Sequence, residues 1–444
     1  MFDRLRRPAD ARLHEILSSL EEELGEGKPV EVSKQRLAEL FQKHYGSAIL
    51  AKAVTLKVLN LCLAKQHFLA RSTELQSKPF GLIIDPSNGC NLACPGCVHS
   101  THAKELQLFS WGKGLLPDDR LASFLKKYGP YAIHVNFCSY GEPLINPETP
   151  RYIRQAKGFL MQTMLSTNLS IGRFEAEENV ASGLDYMLVS IDGATQEVYQ
   201  KFRRNGSLEI VFRNLEKLAE AKRKLGRQTP VVAWRFLTFR HNVHEIPQAV
   251  EKARAMGVDQ FLTLAPYDVS WDDPEIVEAG VEPVNILFNP QSEACILENW
   301  KNSPDPPDAE TIEREFDREW QPVRSGTPQQ EGITCQWLYR SMTLDAGGRI
   351  FPCCAAPRPD LDLVFASFDG EEEAFNSQKY RLARLGFVDG PAYEAQRGVL
   401  DPHCAKCVWN KDSVNTDAAQ IRQYLKAAGG SLFNADSLSI LSAW

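Results

Sequence analysis

The stretch "GLIIDPSNGCNLACPGC" (residues 81–97) decides the reading of this chain. Its opening, Gly81 to Asp85, is an apolar run that reads as a buried strand. Three cysteines then follow within eight residues: Cys90, Cys94 and Cys97. At the chain's cysteine frequency, a C-x3-C-x2-C arises by chance ~0.007 times per chain, so three unrelated buried thiols are a poor explanation. Three thiolates fall one short of a structural zinc site, which takes four ligands. They are enough to hold a [4Fe–4S] cluster through three irons, leaving the fourth open to another ligand.

The sequence on either side sets the architecture. Short apolar runs recur at 81–85, 132–139, 163–167, 186–192, 231–239 and 261–268. Helical stretches such as "PDDRLASFLKKY" and "SLEIVFRNLEKLAEAKRKL" fill the gaps. Strands alternating with helices predict a parallel α/β sheet. Six strands are too few for a closed eight-stranded barrel, so an open, curved partial barrel is expected, with its chemistry at the carboxyl ends of the strands. The cysteine loop lies at such an end. Residues 1–78 read as helical, with "SKQRLAELFQKHY" and "SAILAKAVTLKVLNLCLAKQHFLA" carrying apolar residues at three- and four-residue steps. The favoured reading of the second is a lid packed on the barrel; the alternative is a membrane-surface helix, which would allow peripheral membrane contact.

Bulk properties narrow the function classes. The 444 residues carry 50 basic and 57 acidic side chains, a net charge of -7, which argues against nucleic acid as a partner. No secretory signal is read at the start, and the longest apolar run is broken by Lys52 and Lys57, so a cytoplasmic protein is expected. Eleven cysteines without an export signal favour metal or redox use over disulfides.

The motifs at successive strand ends resemble the radical S-adenosylmethionine (SAM) superfamily. C-x3-C-x2-C follows the first strand, "YGEPL" (140–144) the second and "STN" (166–168) the third. "SIDGATQEVYQKFRRNG" (190–206) ends the fourth, and "RFLTFRHNVHEI" (235–246) resembles the strand-five segment that lies along the adenine. The resemblance implies a cluster on Cys90, Cys94 and Cys97 and a SAM site that uses Gly141, Glu142, Asn168 and Ser190. It adds an arginine for the SAM carboxylate, carried to Arg204 with its neighbour Arg203 as the alternative. One departure stands out: Gly96 replaces the usual aromatic residue before the third cysteine. The implied chemistry is reductive cleavage of SAM to a 5′-deoxyadenosyl radical that abstracts hydrogen from a substrate, with a flavodoxin or ferredoxin as electron donor.

Beyond residue 330, Cys335, Gly348, Cys353 and the pair Cys404 and Cys407 resemble the SPASM domain or its shortened twitch form. That implies one auxiliary [4Fe–4S] cluster; a zinc ribbon is the alternative. "LVFASFDGEEEAFNSQKYRLAR" (363–384) resembles the helical segment between that domain's halves. The expected organisation is an N-terminal helical region at 1–78, a partial (β/α)6 barrel at 79–269 and a linker with some helix at 270–330. A SPASM/twitch-like domain at 331–415 and a tail at 416–444 complete it. The expected function is a radical SAM oxidoreductase acting on a peptide or protein side chain. The alternatives are a dehydrogenase or epimerase of a sugar-like or lipid molecule, and a non-catalytic iron–sulfur or zinc scaffold. Cys354 and Cys138 read first as small core thiols, and Tyr267 and Asp268 as solvated loop residues near the substrate side.

Overall fold

The computed structural model describes residues 34–100, 114–266, 276–299, 307–319, 335–353, 364–369, 373–398 and 404. The strands are β1 (Gly81–Ile84), β2 (His134–Asn136), β3 (Gln162–Thr167), β4 (Tyr186–Ser190), β5 (Val231–Leu237), β6 (Gln260–Leu264), β7 (Asn285–Leu287), β8 (Ser341–Leu344), β9 (Arg349–Phe351) and β10 (Ala366–Ser367). They form one sheet in the order β10-β9-β8-β1-β2-β3-β4-β5-β6-β7. From β1 to β6 neighbours are parallel and consecutive, as the apolar runs predicted. The fold is the open α/β sheet expected for a partial barrel, with all six runs within a few residues of their strands.

The helices are α1 (Lys34–Tyr45), α2 (Ala48–Leu69), α3 (Asp118–Tyr128), α4 (Thr149–Lys157), α5 (Ala176–Ala181), α6 (Gln196–Phe202), α7 (Leu208–Lys224), α8 (Ile246–Ala255), α9 (Ser292–Glu298), α10 (Ala309–Asp317), α11 (Trp337–Arg340), α12 (Gln378–Val388) and α13 (Gly390–Gln396). Side chains alternate across each strand. Met187 and Val189 of β4 and Trp234 and Phe236 of β5 enter the main core with Val211 and Leu215 of α7. Tyr186, Leu188, Arg235 and Leu237, on the other face, stay partly exposed. A parallel strand with one face covered by helices and the other half open is what a barrel interior requires.

Two findings go beyond the sequence. First, β8 pairs parallel with β1, Gly81 opposite Ser341 and Ile84 opposite Leu344. The C-terminal strands therefore extend the barrel sheet, and Met342, Ile350, Phe375 and Tyr380 share one core with Leu82 and Phe124. Arg384 fastens the junction. It is fully buried and donates to the carbonyls of Leu338, Phe375 and Thr73 over 2.8–3.1 Å. The segment read as helical at 363–384 is strand first, because Ala366 and Ser367 pair with Ile350 and Arg349; a 3-10 turn at Ala374–Asn376 follows, and α-helix begins at Gln378.

Second, α2 is a buried lid. Its residues Leu56, Val58, Leu59 and Leu61 cluster with Phe80, Ile133 and Leu160, the residues entering β1, β2 and β3. It therefore covers the amino ends of the strands, opposite the cysteine loop. Lys57, which read as an interruption, is fully buried and donates to the carbonyls of Gly129 and Ala132, closing the end of α3. This overturns the membrane-surface alternative, since the apolar face that reading needs is spent inside the protein. No helix among the described residues is long and apolar enough to cross a membrane.

Candidate functional site

Apart from Arg204, which follows α6, every predicted SAM or first-cluster residue lies at the carboxyl ends of β1 to β4 or in the loops that follow. Buried carboxylates shape those loops. Asp85, just past β1, accepts from Ser139 N at 2.6 Å and Tyr140 N at 3.0 Å. Glu142 accepts from the Thr167 hydroxyl at 2.6 Å, Asn168 N at 2.8 Å and Leu144 N at 3.1 Å. Asp192, just past β4, accepts from Leu237 N at 2.7 Å and Arg203 Nε at 2.6 Å. A carboxylate removed from water needs such donors, and each here draws its donors from the end of a neighbouring strand or the loop after it. Burial still pushes Asp85 up to about 7 and Glu142 up to about 6, against the hydrogen bonds that pull both down.

Backbone contact joins the Gly-Glu-Pro loop to the cysteine loop. Glu142 N donates to Gly89 O at 2.8 Å. A Cβ on Gly141 would lie 1.6 Å from Ser87 O, so only glycine lets the two chains approach this closely. The turn between β8 and β9 closes the other side: Ala346 N donates to the Asn88 amide oxygen at 3.1 Å. Gly348 in that turn has φ +85, the left-handed region that favours glycine.

The cysteines sit inside this frame. Cys97 N donates to Cys94 O at 3.1 Å, a turn in which Gly96 takes φ +73. That conformation accounts for a glycine where the resemblance implied an aromatic side chain. Cys90 Sγ accepts from Leu92 N at 3.5 Å and Asn168 Nδ2 at 3.8 Å, and Cys94 Sγ accepts from Arg203 Nη1 at 3.8 Å. Leu92, Phe202, Phe239 and Ile276 form an apolar shell around the three thiols. Burial pushes Cys90 up to about 12 and Cys94 up to about 11, so metal binding is what would deprotonate them. Among the described residues no three His, Cys, Asp or Glu side chains already converge on one point. The loop groups the thiols without locking them into ligating positions. As a donor set, three thiols in an apolar shell with N–H groups aimed at two of the sulfurs fit an iron–sulfur cluster.

The remaining expectations are placed as follows. Ser190 is buried and accepts from Arg235 Nη2 at 2.6 Å. Arg204 is exposed and meets the cysteine loop through its carbonyl, which accepts from Ala93 N at 3.1 Å. Its neighbour Arg203 is the guanidinium that reaches the cysteines, because it caps α6 and turns inward. Burial would lower Arg203, yet Asp192 and Cys94 hold it above its ordinary value. Cys138 donates its thiol to Gly141 O at 3.8 Å, and burial, with Asp85 and Glu142 beside it, keeps that thiol protonated. Cys335, Cys353 and Cys404 lie in the C-terminal region, Cys335 near Tyr339 and the other two near Tyr380. Cys407, Cys354, Tyr267 and Asp268 lie outside the described residues. Sequence reasoning passed over Asp85, Asp192 and Arg235 as site residues. All three were visible as charged residues within or at the ends of apolar runs.

Residues 84–232 match the sequence model described as "Radical SAM superfamily". A probable GTP 3′,8-cyclase of Methanococcus maripaludis is 27% identical over 194 residues, covering 43% of this chain and 60% of its own. An Fe-coproporphyrin III synthase of Methanosarcina barkeri is 32% identical over 188 residues, covering 41% and 42%. The chain thus spans about 60% or less of the length of these relatives. Among solved structures, SuiB of Streptococcus suis bound to S-adenosylmethionine is 15% identical, with a TM-score of 0.43, covering 74% of this chain and 72% of its own. The matched segment begins at the end of β1 and takes in the cysteine loop, the Gly-Glu-Pro loop and the ends of β3 and β4. By this match, residues 84–232 carry the sequence pattern of a radical SAM domain.

Proposed function

We propose that the protein is a radical SAM enzyme, with a [4Fe–4S] cluster on Cys90, Cys94 and Cys97 and SAM beside it. The observation that carries this reading is the docking of the Gly-Glu-Pro loop on the cysteine loop through Gly141 and Glu142 N. A scaffold that only stored a cluster would not need that second loop. When bound, the cluster and SAM supply reductive cleavage of the sulfonium and a radical that abstracts hydrogen from the substrate. The chain's own residues bind and orient. Glu142 braces the end of β3, Asn168 holds Cys90, and Ser190 with Arg235 presents a polar wall on the open face of the sheet. Phe239, stacked on His241 at 5.4 Å, offers a ring in the thiols' own shell, the contact that Gly96 cannot make.

The second cysteine set would hold an auxiliary cluster through Cys335, Cys353, Cys404 and Cys407 in a SPASM/twitch-like region. Four thiolates close every coordination position, which suits electron transfer better than substrate binding. The substrate class we carry is a peptide or protein side chain, with reduction by a flavodoxin- or ferredoxin-like donor. A small-molecule substrate is the second reading. It is favoured by the two curated relatives, whose names state a GTP cyclisation and an Fe-coproporphyrin synthesis. Anaerobic reconstitution tests the cofactor set. About eight irons per chain are expected, falling to about four when Cys90, Cys94 and Cys97 are all replaced by Ala. One cluster with stoichiometric zinc would remove the auxiliary cluster from the account.

A further inference from the structure

Cys94 of the first set receives a charged donor. Arg203 Nη1 lies 3.8 Å from Cys94 Sγ. The same guanidinium is anchored at its other end by Asp192, whose carboxylate accepts Arg203 Nε at 2.6 Å. Asp192 is itself fully buried and fixed by Leu237 N, while Arg203 lies against the Phe202 ring at 5.1 Å. Cys90, by contrast, receives neutral donors from Leu92 N and Asn168 Nδ2. A fixed positive charge therefore lies beside Cys94.

From this geometry we infer that Arg203 is a positioning residue that acts on the cluster itself. Its charge-assisted N–H···S bond to Cys94 raises the cluster's reduction potential, and Asp192 holds the guanidinium in line. The physical basis is direct. Reduction adds negative charge to a cluster already bearing thiolates. A cation hydrogen-bonded to a ligating sulfur in an apolar shell stabilises the reduced form more than the oxidised one. Arginine suits the task because its planar fork spans Asp192 and Cys94 at once; a lysine ammonium is a point charge on a flexible stem. The inference rests on the proposed cluster at Cys90, Cys94 and Cys97.

The test is a redox titration followed by electron paramagnetic resonance on the reconstituted full-length wild type, Arg203→Lys and Arg203→Gln. The first cluster is identified as the signal that changes when SAM is added. Wild type without any SAM-responsive signal would defeat the underlying cluster reading. With that signal present, the midpoint is expected to move to more negative potential in Arg203→Gln, with Arg203→Lys between it and wild type. A role confined to bracing Asp192 would leave the midpoint where it is in wild type. Equal midpoints in the three proteins would overturn the proposal. If Arg203→Gln fails to fold, as judged by circular dichroism, Arg203→Lys decides alone: a midpoint equal to wild type overturns the proposal and a negative shift upholds it.

Discussion

The two ends of the sheet use buried charge in opposite ways. At the carboxyl ends, Asp85, Glu142 and Asp192 accept from main-chain N–H groups at or just past the ends of neighbouring strands, and so frame the loops that carry the cysteines and the Gly-Glu-Pro segment. At the amino ends, charge is settled in place and covered. Lys157 is paired with Asp185 at 2.8 Å, both fully buried, and Asp185 also accepts from Thr163 N at 2.7 Å and Asn299 Nδ2 at 2.7 Å. Lys57 of α2 is buried against the carbonyls of Gly129 and Ala132. One end spends its carboxylates on shaping loops that must present groups outward; the other spends its ions on closing the barrel. The difference teaches where substitutions disturb function and where they disturb only stability.

The largest effect is expected at the closed end. Lys157→Met leaves Asp185 buried without its cation, which costs about 3–5 kcal/mol. Thermal unfolding should show a large fall in midpoint, while iron content per folded chain stays at the wild-type value. Loss of iron from the folded fraction would mean that the two ends are not separable.

A smaller effect is expected at the open end. Glu142→Gln keeps one acceptor oxygen and turns an amide N–H toward a group that also donates, costing about 1–3 kcal/mol. Because Asn168 joins Glu142 to Cys90, this variant should weaken SAM binding in a titration, at most modestly lowering the thermal midpoint. Unchanged SAM affinity would make Glu142 a brace with no consequence for the site.

A third effect depends on pH. Burial lowers Lys57 to about 7 from an ordinary 10.5. Between those values the unfolded chain binds a proton that the folded chain does not, so this residue makes stability rise with pH across that window. Lys57→Met lacks that rise and loses two hydrogen bonds. Its destabilisation should therefore grow from pH 7 to pH 10, by up to about 1.4 kcal/mol per pH unit. A gap between the two proteins that stays constant with pH would mean that Lys57 remains charged inside.

Much of this was legible in the sequence, for identifiable reasons. Strands β1 to β6 announced themselves because each is an apolar run between helical segments. The cysteine spacing located the site because ligand spacing is local. What the sequence hid depends on contacts between distant residues or on side-chain direction. Nothing near Ser341 signals that it lies opposite Gly81. Arg203 and Arg204 are equivalent as letters; the end of α6 turns one toward Cys94 and leaves the other in solvent. Lys57 looked like a polar interruption because a lysine capping carbonyls inside a core has the same local sequence as one on a surface.

The most direct test of the account is made on anaerobically reconstituted, chemically reduced protein supplied with SAM. The account predicts formation of 5′-deoxyadenosine by the wild type and none by the chain with Cys90, Cys94 and Cys97 replaced by Ala. Wild-type protein that holds its iron and binds SAM but leaves it intact under reduction would contradict the claim that this site performs radical SAM chemistry.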